Sequence, residues 1–138
     1  MDGMLIAFYS MTGNVRRFVN GSDIGDQFEL YEIKAANKDE KITEPYILVT
    51  STYGFGGVPA PVERFLDVNN EGMQAVASSG NRNWGNNFAK AGEHIQQKYK
   101  VPLLMKFELH GTESERELFK EKAGSINESI RREEVQSY

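Results

Sequence analysis

The chain has 138 residues, of which 16 are basic and 20 acidic, giving a formal charge of −4; 39% are apolar and none is cysteine. That length suits one domain with one core, and the mild acidity argues against non-specific nucleic-acid binding. The lack of thiols excludes disulfides, thiolate catalysis, cysteine-ligated zinc and iron–sulfur clusters. His94 and His110 stand far apart and offer no metal-ligand spacing. No segment reads as a signal peptide or a membrane span, so a cytoplasmic location is the expectation.

Residues 1–3 form a short lead. Residues 4–9 are continuously apolar, the mark of a strand buried on both faces. A turn then leads into a short helix over 14–20, with Val15, Phe18 and Val19 on one face. The turn Ser10-Met11-Thr12-Gly13-Asn14-Val15 carries two hydroxyls, a glycine and an amide side chain. It offers backbone N–H groups and a helix N-terminus to an anion. A helix start capped by Thr12 or Ser10 is the plainer alternative. No Lys or Arg lies within the turn, and Arg16 and Arg17 come just after it. That pattern suits a phosphate monoester held mostly by neutral donors.

Over residues 28–33, Phe28 and Leu30 alternate with Glu29 and Tyr31, as in an edge strand. Residues 35–44 are polar, without helical period, and read as a surface loop. Residues 46–49 are a second solid apolar run, hence a central strand. It ends in Thr50-Ser51-Thr52-Tyr53-Gly54-Phe55-Gly56-Gly57-Val58-Pro59. The glycines let backbone approach a flat ligand, and Tyr53 and Phe55 offer ring faces. Pro61 suits the first turn of the next helix, which buries Val62, Phe65 and Leu66.

Residues 73–77 read as the fourth strand and 78–87 as a polar loop. That loop brings together Ser79, Gly80, Asn81, Asn83 and Trp84, with the further amides of Asn86 and Asn87. Amides suit the edge of a heterocycle, while Trp84 either stacks on a ligand or covers the core. Arg82 and His94 read as solvated. Phe88, Ala91, Ile95 and Tyr99 mark a helix. Over residues 103–109 Phe107 and Leu109 point inward, another edge signature, and His110 reads as a satisfied structural histidine. Thr112 to Glu115 is a capping box. The helix it opens has a core stripe of Phe119, Ala123, Ile126 and Ile130, and the tail from residue 131 is expected to fray.

The order β-α-β-β-α-β-α-β-α, with strands two and five at the edges, predicts a doubly wound parallel sheet of order 2-1-3-4-5. In such a sheet ligands bind beyond the carboxyl ends of the strands, where the order reverses. Here that point lies between strands one and three, and the three unusual loops converge on it. Strand one is followed by neither GxGxxG nor a Walker A pattern. Strands one and three end in Tyr9-Ser10 and Thr50-Ser51, without the acidic metal ligands of a receiver domain.

Ser10-Met11-Thr12-Gly13-Asn14 resembles the phosphate loop of flavodoxins. Four stretches resemble, more specifically, the NrdI family, the flavodoxin-like activators of class Ib ribonucleotide reductase. They are FYSMTGNVRRFV (8–19), TSTYGFGGVPAPVERFL (50–66), ASSGNRNWGNNFAKAG (77–92) and FELHGT (107–112). The third is the most specific, since an ordinary flavodoxin is not expected to carry GNRNWG. The resemblance implies a flavodoxin-like fold with FMN as cofactor and the flavin, not a side chain, as the reactive group. Ser10, Thr12, Gly13, Asn14 and Val15, with Met11 in the same turn, would hold the phosphate. Thr50, Ser51, Thr52, Tyr53, Gly54, Phe55, Gly56 and Gly57 would flank the isoalloxazine ring, as would Ser79, Gly80, Asn81, Asn83 and Trp84.

The implied partners are the dimanganese small subunit of the reductase and a flavin-reducing reductase. Reduced FMN and dioxygen would yield superoxide or peroxide, which would reach the dimanganese centre and lead to its tyrosyl radical. A general flavodoxin electron carrier and a non-redox interaction module are the alternatives. The charged tail beyond Thr112 departs from the family's pattern.

Overall fold

Five parallel strands make one sheet in the order β2-β1-β3-β4-β5, as the sequence predicts. They are β1 (Leu5–Tyr9), β2 (Glu29–Glu32), β3 (Tyr46–Thr50), β4 (Met73–Gly80) and β5 (Leu103–Glu108). The computed structural model describes residues 4–136, so the lead (1–3) and the end of the tail (137–138) lie outside the described residues. Four α-helices connect or follow the strands: α1 (Asn14–Gly21), α2 (Ala60–Asn69), α3 (Lys90–Tyr99) and α4 (Glu113–Gln136).

Strand alternation deals the apolar residues to two cores. Met4, just before β1, and Ile6 and Phe8 of β1, with Ile47 and Val49 of β3, pack with Val15, Phe18 and Val19 of α1 and Phe119 and Ala123 of α4. Leu5, Ala7, Tyr46 and Leu48 face the other way, onto Val62, Phe65 and Leu66 of α2 and Ile95 of α3. The central strands β1 and β3 therefore read as unbroken apolar runs because both faces are covered. Between β3 and β4, Tyr46 pairs with Met73 but Ile47 pairs with Ala75, so Gln74 is bulged out of the ladder. The bulge lets Met73 and Val76 face one core while Ala75 and Ala77 face the other.

The connection from β2 to β3 contains no helix, as expected. It is pinned by the buried Asn69, whose Nδ2 donates to the Glu40 carbonyl at 2.8 Å while its Oδ1 accepts from the Ile42 N–H at 2.8 Å. Tyr31 Oη also donates to Glu40, and burial together with that carboxylate pushes the phenol up to about 12.

Four local expectations need correction. β4 runs on through Ser78, Ser79 and Gly80, which the sequence assigned to a loop. These hydroxyls are buried in strand geometry because each has an acceptor: Ser78 Oγ donates to the Ala89 carbonyl and Ser79 Oγ to the Leu109 carbonyl, both at 2.7 Å. Leu109 does not face the core. It has left β5 with a positive φ of 53° and stands 42% exposed. Leu30, on the apolar side of the expected alternation, is exposed on the edge strand, and His110, read as a satisfied structural histidine, is an exposed turn residue. The Thr112 capping box forms as predicted, with Glu115 N donating to Thr112 Oγ1 and Thr112 N to Glu115 Oε1. The helix it opens stays helical through Gln136.

Candidate functional site

Three loops at the carboxyl ends of β1, β3 and β4, joined by Leu109 after β5, enclose a cleft of about 220 Å³. Met11, Thr12, Asn14, Ser51, Thr52, Gly54, Ser79, Gly80, Asn81 and Trp84 line it. Asn87, Ala89 and Leu109 complete the lining, so among the described residues no charged side chain does so.

The first loop turns at Gly13, the N-cap of α1, which stands in the left-handed region at φ 95°. Neither Thr12 nor Ser10 occupies the cap position. Ser10 Oγ instead reaches forward over the turn and accepts from the Arg16 N–H at 3.2 Å. Asn14 Nδ2 donates to Thr12 Oγ1 at 3.4 Å, and Arg17 Nη1 donates to Asn14 Oδ1 at 3.1 Å. The guanidinium nitrogens of Arg17 and Arg16 lie 3.7 and 3.8 Å from where a Cβ on Gly13 would stand. Two cations therefore flank a turn that reads as neutral in sequence, because helical spacing folds them back toward it. Arg16 is committed to Glu32 through Nε and Nη2, and that pairing holds the Glu32 carboxyl below its ordinary range. Val15 does not face the cleft, being fully buried in the α1 core.

The second loop is tied to the first by Ser51. Its Oγ accepts from the Met11 N–H at 3.1 Å and donates to the Tyr9 carbonyl at 3.3 Å. Thr50 is the buried last residue of β3, behind the cleft wall. The glycine-rich segment is pinched shut: Tyr53 N–H donates to the Gly57 carbonyl and Gly57 N–H to the Tyr53 carbonyl, each at 2.7 Å. Gly54, Phe55 and Gly56 form the tip of this small hairpin. Only Gly54 of them lines the cleft, while Tyr53 faces a neighbouring apolar hollow with Tyr9 and Met11. Thr52 Oγ1 is buried in the cleft wall with no hydrogen-bond partner.

The third loop, Arg82–Asn87, is a pair of 3-10 turns broken at Gly85. Asn81 Oδ1 accepts from the Asn83 N–H at 2.9 Å, so Asn83 shapes the loop without lining the cleft. Trp84 belongs to neither core. It is 42% exposed and meets Phe55 edge-on, ring centroids 4.9 Å apart at 79°, so the second and third loops touch over the cleft. Sequence reasoning left Ala89 and Leu109 outside the site. Ala89 enters it because Gly80 allows its backbone to come close, and Leu109 because its backbone turns outward; neither event leaves a periodic signal. Among the described residues no group of three or more His, Asp or Glu could hold a metal, and no helix is long and apolar enough to cross a membrane.

Solved structures share this fold. A short-chain flavodoxin associated with a non-canonical PDU bacterial microcompartment superposes with a TM-score of 0.68 at 20% identity, covering 94% of this chain and 99% of that one. A cysteine-to-alanine mutant of flavodoxin from Pseudomonas aeruginosa gives a TM-score of 0.58 at 15% identity, covering 91% and 99%. At these identities the likeness is one of fold. The family model described as NrdI flavodoxin-like matches residues 6–121, which takes in all three loops of the cleft, and by that match the chain belongs to the NrdI flavodoxin-like family.

Proposed function

We propose that this protein is the FMN-carrying activator of a class Ib ribonucleotide reductase, delivering superoxide or peroxide to the dimanganese centre of the small subunit. FMN binding comes with the family; the partner, the oxidant and the cytoplasmic setting are the proposal. The observation that supports an oxygen-reducing role over plain electron carriage is the cleft's uncharged lining. A carboxylate ~10 Å from an anionic reduced flavin would oppose it by roughly 1.7 kcal/mol at an effective dielectric of about 20, before salt screening. No carboxylate lines this cleft itself, so full reduction meets less repulsion here than in a cleft walled by acids.

The residues present fit FMN. Donors converge on the 10–15 turn, Arg17 adds a cation beside it, and Thr52 Oγ1 is a buried hydroxyl still in want of a partner. Bound and reduced, FMN supplies the electrons that reduce dioxygen. The chain's own part is to hold and shield. The first amides of α1 and the Thr12 hydroxyl would take the phosphate, and Thr52 and Asn81 would meet the ring's polar edge. Phe55 and Trp84, in contact across the loops, would keep water from one side.

The unpartnered hydroxyl yields a prediction of opposite signs. Thr52→Val should leave the flavin-free protein as stable or more stable, because it removes a buried unsatisfied group. It should also weaken FMN binding by about 1 kcal/mol, roughly fivefold in Kd. Thermal melts without flavin and flavin fluorescence titration measure the two; equal FMN affinity would remove Thr52 from the site.

The function itself is tested by reducing the FMN-loaded protein anaerobically, then mixing it with oxygenated buffer and manganese-loaded small subunit. The expected result is a tyrosyl radical by electron paramagnetic resonance that depends on this protein. Flavin reoxidation without a radical, alongside efficient electron delivery to a generic acceptor, would make it an ordinary flavodoxin. Failure to take up FMN would leave a non-redox interaction module.

A further inference from the structure

The third loop closes the cleft yet buries almost nothing of its own. Residues 82–86 are all exposed, and Gly85 interrupts the helical geometry. A segment with so little apolar contact opens easily unless polar contacts hold it. Arg82 makes those that reach β5 and α4. Its backbone N–H donates to Glu108 Oε2 at 3.1 Å, its Nε lies 3.6 Å from Glu108 Oε1, and its Nη2 lies 3.6 Å from Glu115 Oε2. The guanidinium also sits 4.6 Å from the centroid of the Phe88 ring.

The two carboxylates are themselves fixed. Glu108 ends β5 opposite Gly80, the last residue of β4. Glu115 uses its other oxygen, Oε1, to accept from Thr112 N–H at 2.8 Å in the cap of α4. A planar guanidinium presents a preorganised fork to both carboxylates at once, losing less freedom per contact than a lysine ammonium on its flexible stem. None of Arg82, Glu108 and Glu115 lines the cleft.

We propose that Arg82 is a positioning residue for the cleft. It acts as an electrostatic strap from the end of β5 and the cap of α4, and it sets the loop carrying Asn81, Asn83 and Trp84 against the ligand. The identity of that ligand rests on the FMN reading; the strap does not. Each ion pair is exposed and individually weak, so the strap matters for the order of the loop rather than for the stability of the fold. Its hold depends on ionic strength, and so does the geometry of the site.

Trp84 is the only tryptophan in the chain, so acrylamide quenching of its fluorescence reads the loop in the flavin-free full-length protein. At ~1 M NaCl the screening length falls to ~3 Å, and quenching of the unaltered chain should rise about twofold over its low-salt value. Arg82→Gln should show the high value at every salt concentration, and Arg82→Lys an intermediate one. Glu115→Gln keeps an amide oxygen to cap α4 but removes one charge facing Arg82. Because Glu108 still faces Arg82, it should raise quenching part of the way, and the double variant should quench no more than Arg82→Gln alone.

The Kd for FMN should rise about threefold or more in Arg82→Gln at low salt, and the difference should vanish at ~1 M NaCl. Equal low-salt quenching in Arg82→Gln and the unaltered chain would overturn the proposal. So would additive effects in the double variant, or an unchanged FMN affinity in a variant whose loop has loosened. If the unaltered chain binds no FMN while the quenching pattern holds, the flavin reading falls and the strap stands on its Trp84 readout. The salt titration needs no variant, so it decides even if a substitution misfolds.

Discussion

Phe18→Ala is expected to destabilise the protein by about 4 kcal/mol, the cost of a large aromatic lost from a packed core. Unfolding in urea should show it, with a fall in melting temperature of roughly 15 °C. The Phe18 ring stacks on Phe107 at a centroid distance of 3.6 Å and an interplanar angle of 8°, and meets Phe119 at 5.2 Å and 56°. One ring thus joins α1, β5 and α4 beneath the turn that begins at Ser10. Gly111 completes the enclosure, since a Cβ there would stand 2.5 Å from Phe18 Cδ1. With so many fixed neighbours the void cannot collapse, which places the cost well above that of an ordinary surface change. Phe18 does not line the cleft, so most of the loss should appear in unfolding rather than in FMN affinity at low temperature. A loss below about 2 kcal/mol would mean that the neighbours close the gap and that the stack is not the anchor of α1.

Gly80→Ala should cost about 2–3 kcal/mol and also damage binding. A Cβ on Gly80 would overlap the Ala89 backbone N and stand 2.7 Å from Ala89 Cα. Ala89 cannot simply retreat: it is the N-cap of α3 at φ 48°, and its carbonyl accepts from Ser78 Oγ. Either β4 or the start of α3 must move, and both border the cleft. We expect FMN affinity to fall by more than about tenfold, or ~1.4 kcal/mol. Calorimetry and flavin titration on one preparation check both halves. Lost stability with an affinity within about twofold of the original would mean the wall yields away from the ligand, and would separate Gly80 from the site.

The fold was legible because its central strands are apolar on both faces and its helices carry clean stripes. Val15, Phe18 and Val19, or Val62, Phe65 and Leu66, are buried as their spacing demands. What the sequence concealed was polar burial. Ser78 and Ser79 look like loop residues until Ala89 and Leu109 supply the acceptors that let a strand carry them inside. It also concealed backbone reversal. Leu109 fits the alternation of β5, yet the chain leaves the sheet one residue earlier and turns its side chain toward the cleft. The convergence of the three loops was readable from topology alone. Their internal order was not: the ties through Ser51, the pinch at Tyr53 and the strap at Arg82 depend on groups that meet only after folding.

The coil between β2 and β3 carries a kinetic meaning. A crossover helix would clamp β2 to the sheet, but here, among the described residues, the strand pairs with β1 alone and is followed by a segment held through Asn69. Amide protons of β2 should therefore exchange with solvent through local opening, at free energies well below that of global unfolding, while β1 and β3 should exchange only when the whole molecule opens. The sheet has a soft margin on one side and a rigid middle. Because the cleft rests on the middle and on β4, breathing of the margin would loosen the Arg16 held by Glu32 and leave the rest of the cleft in place.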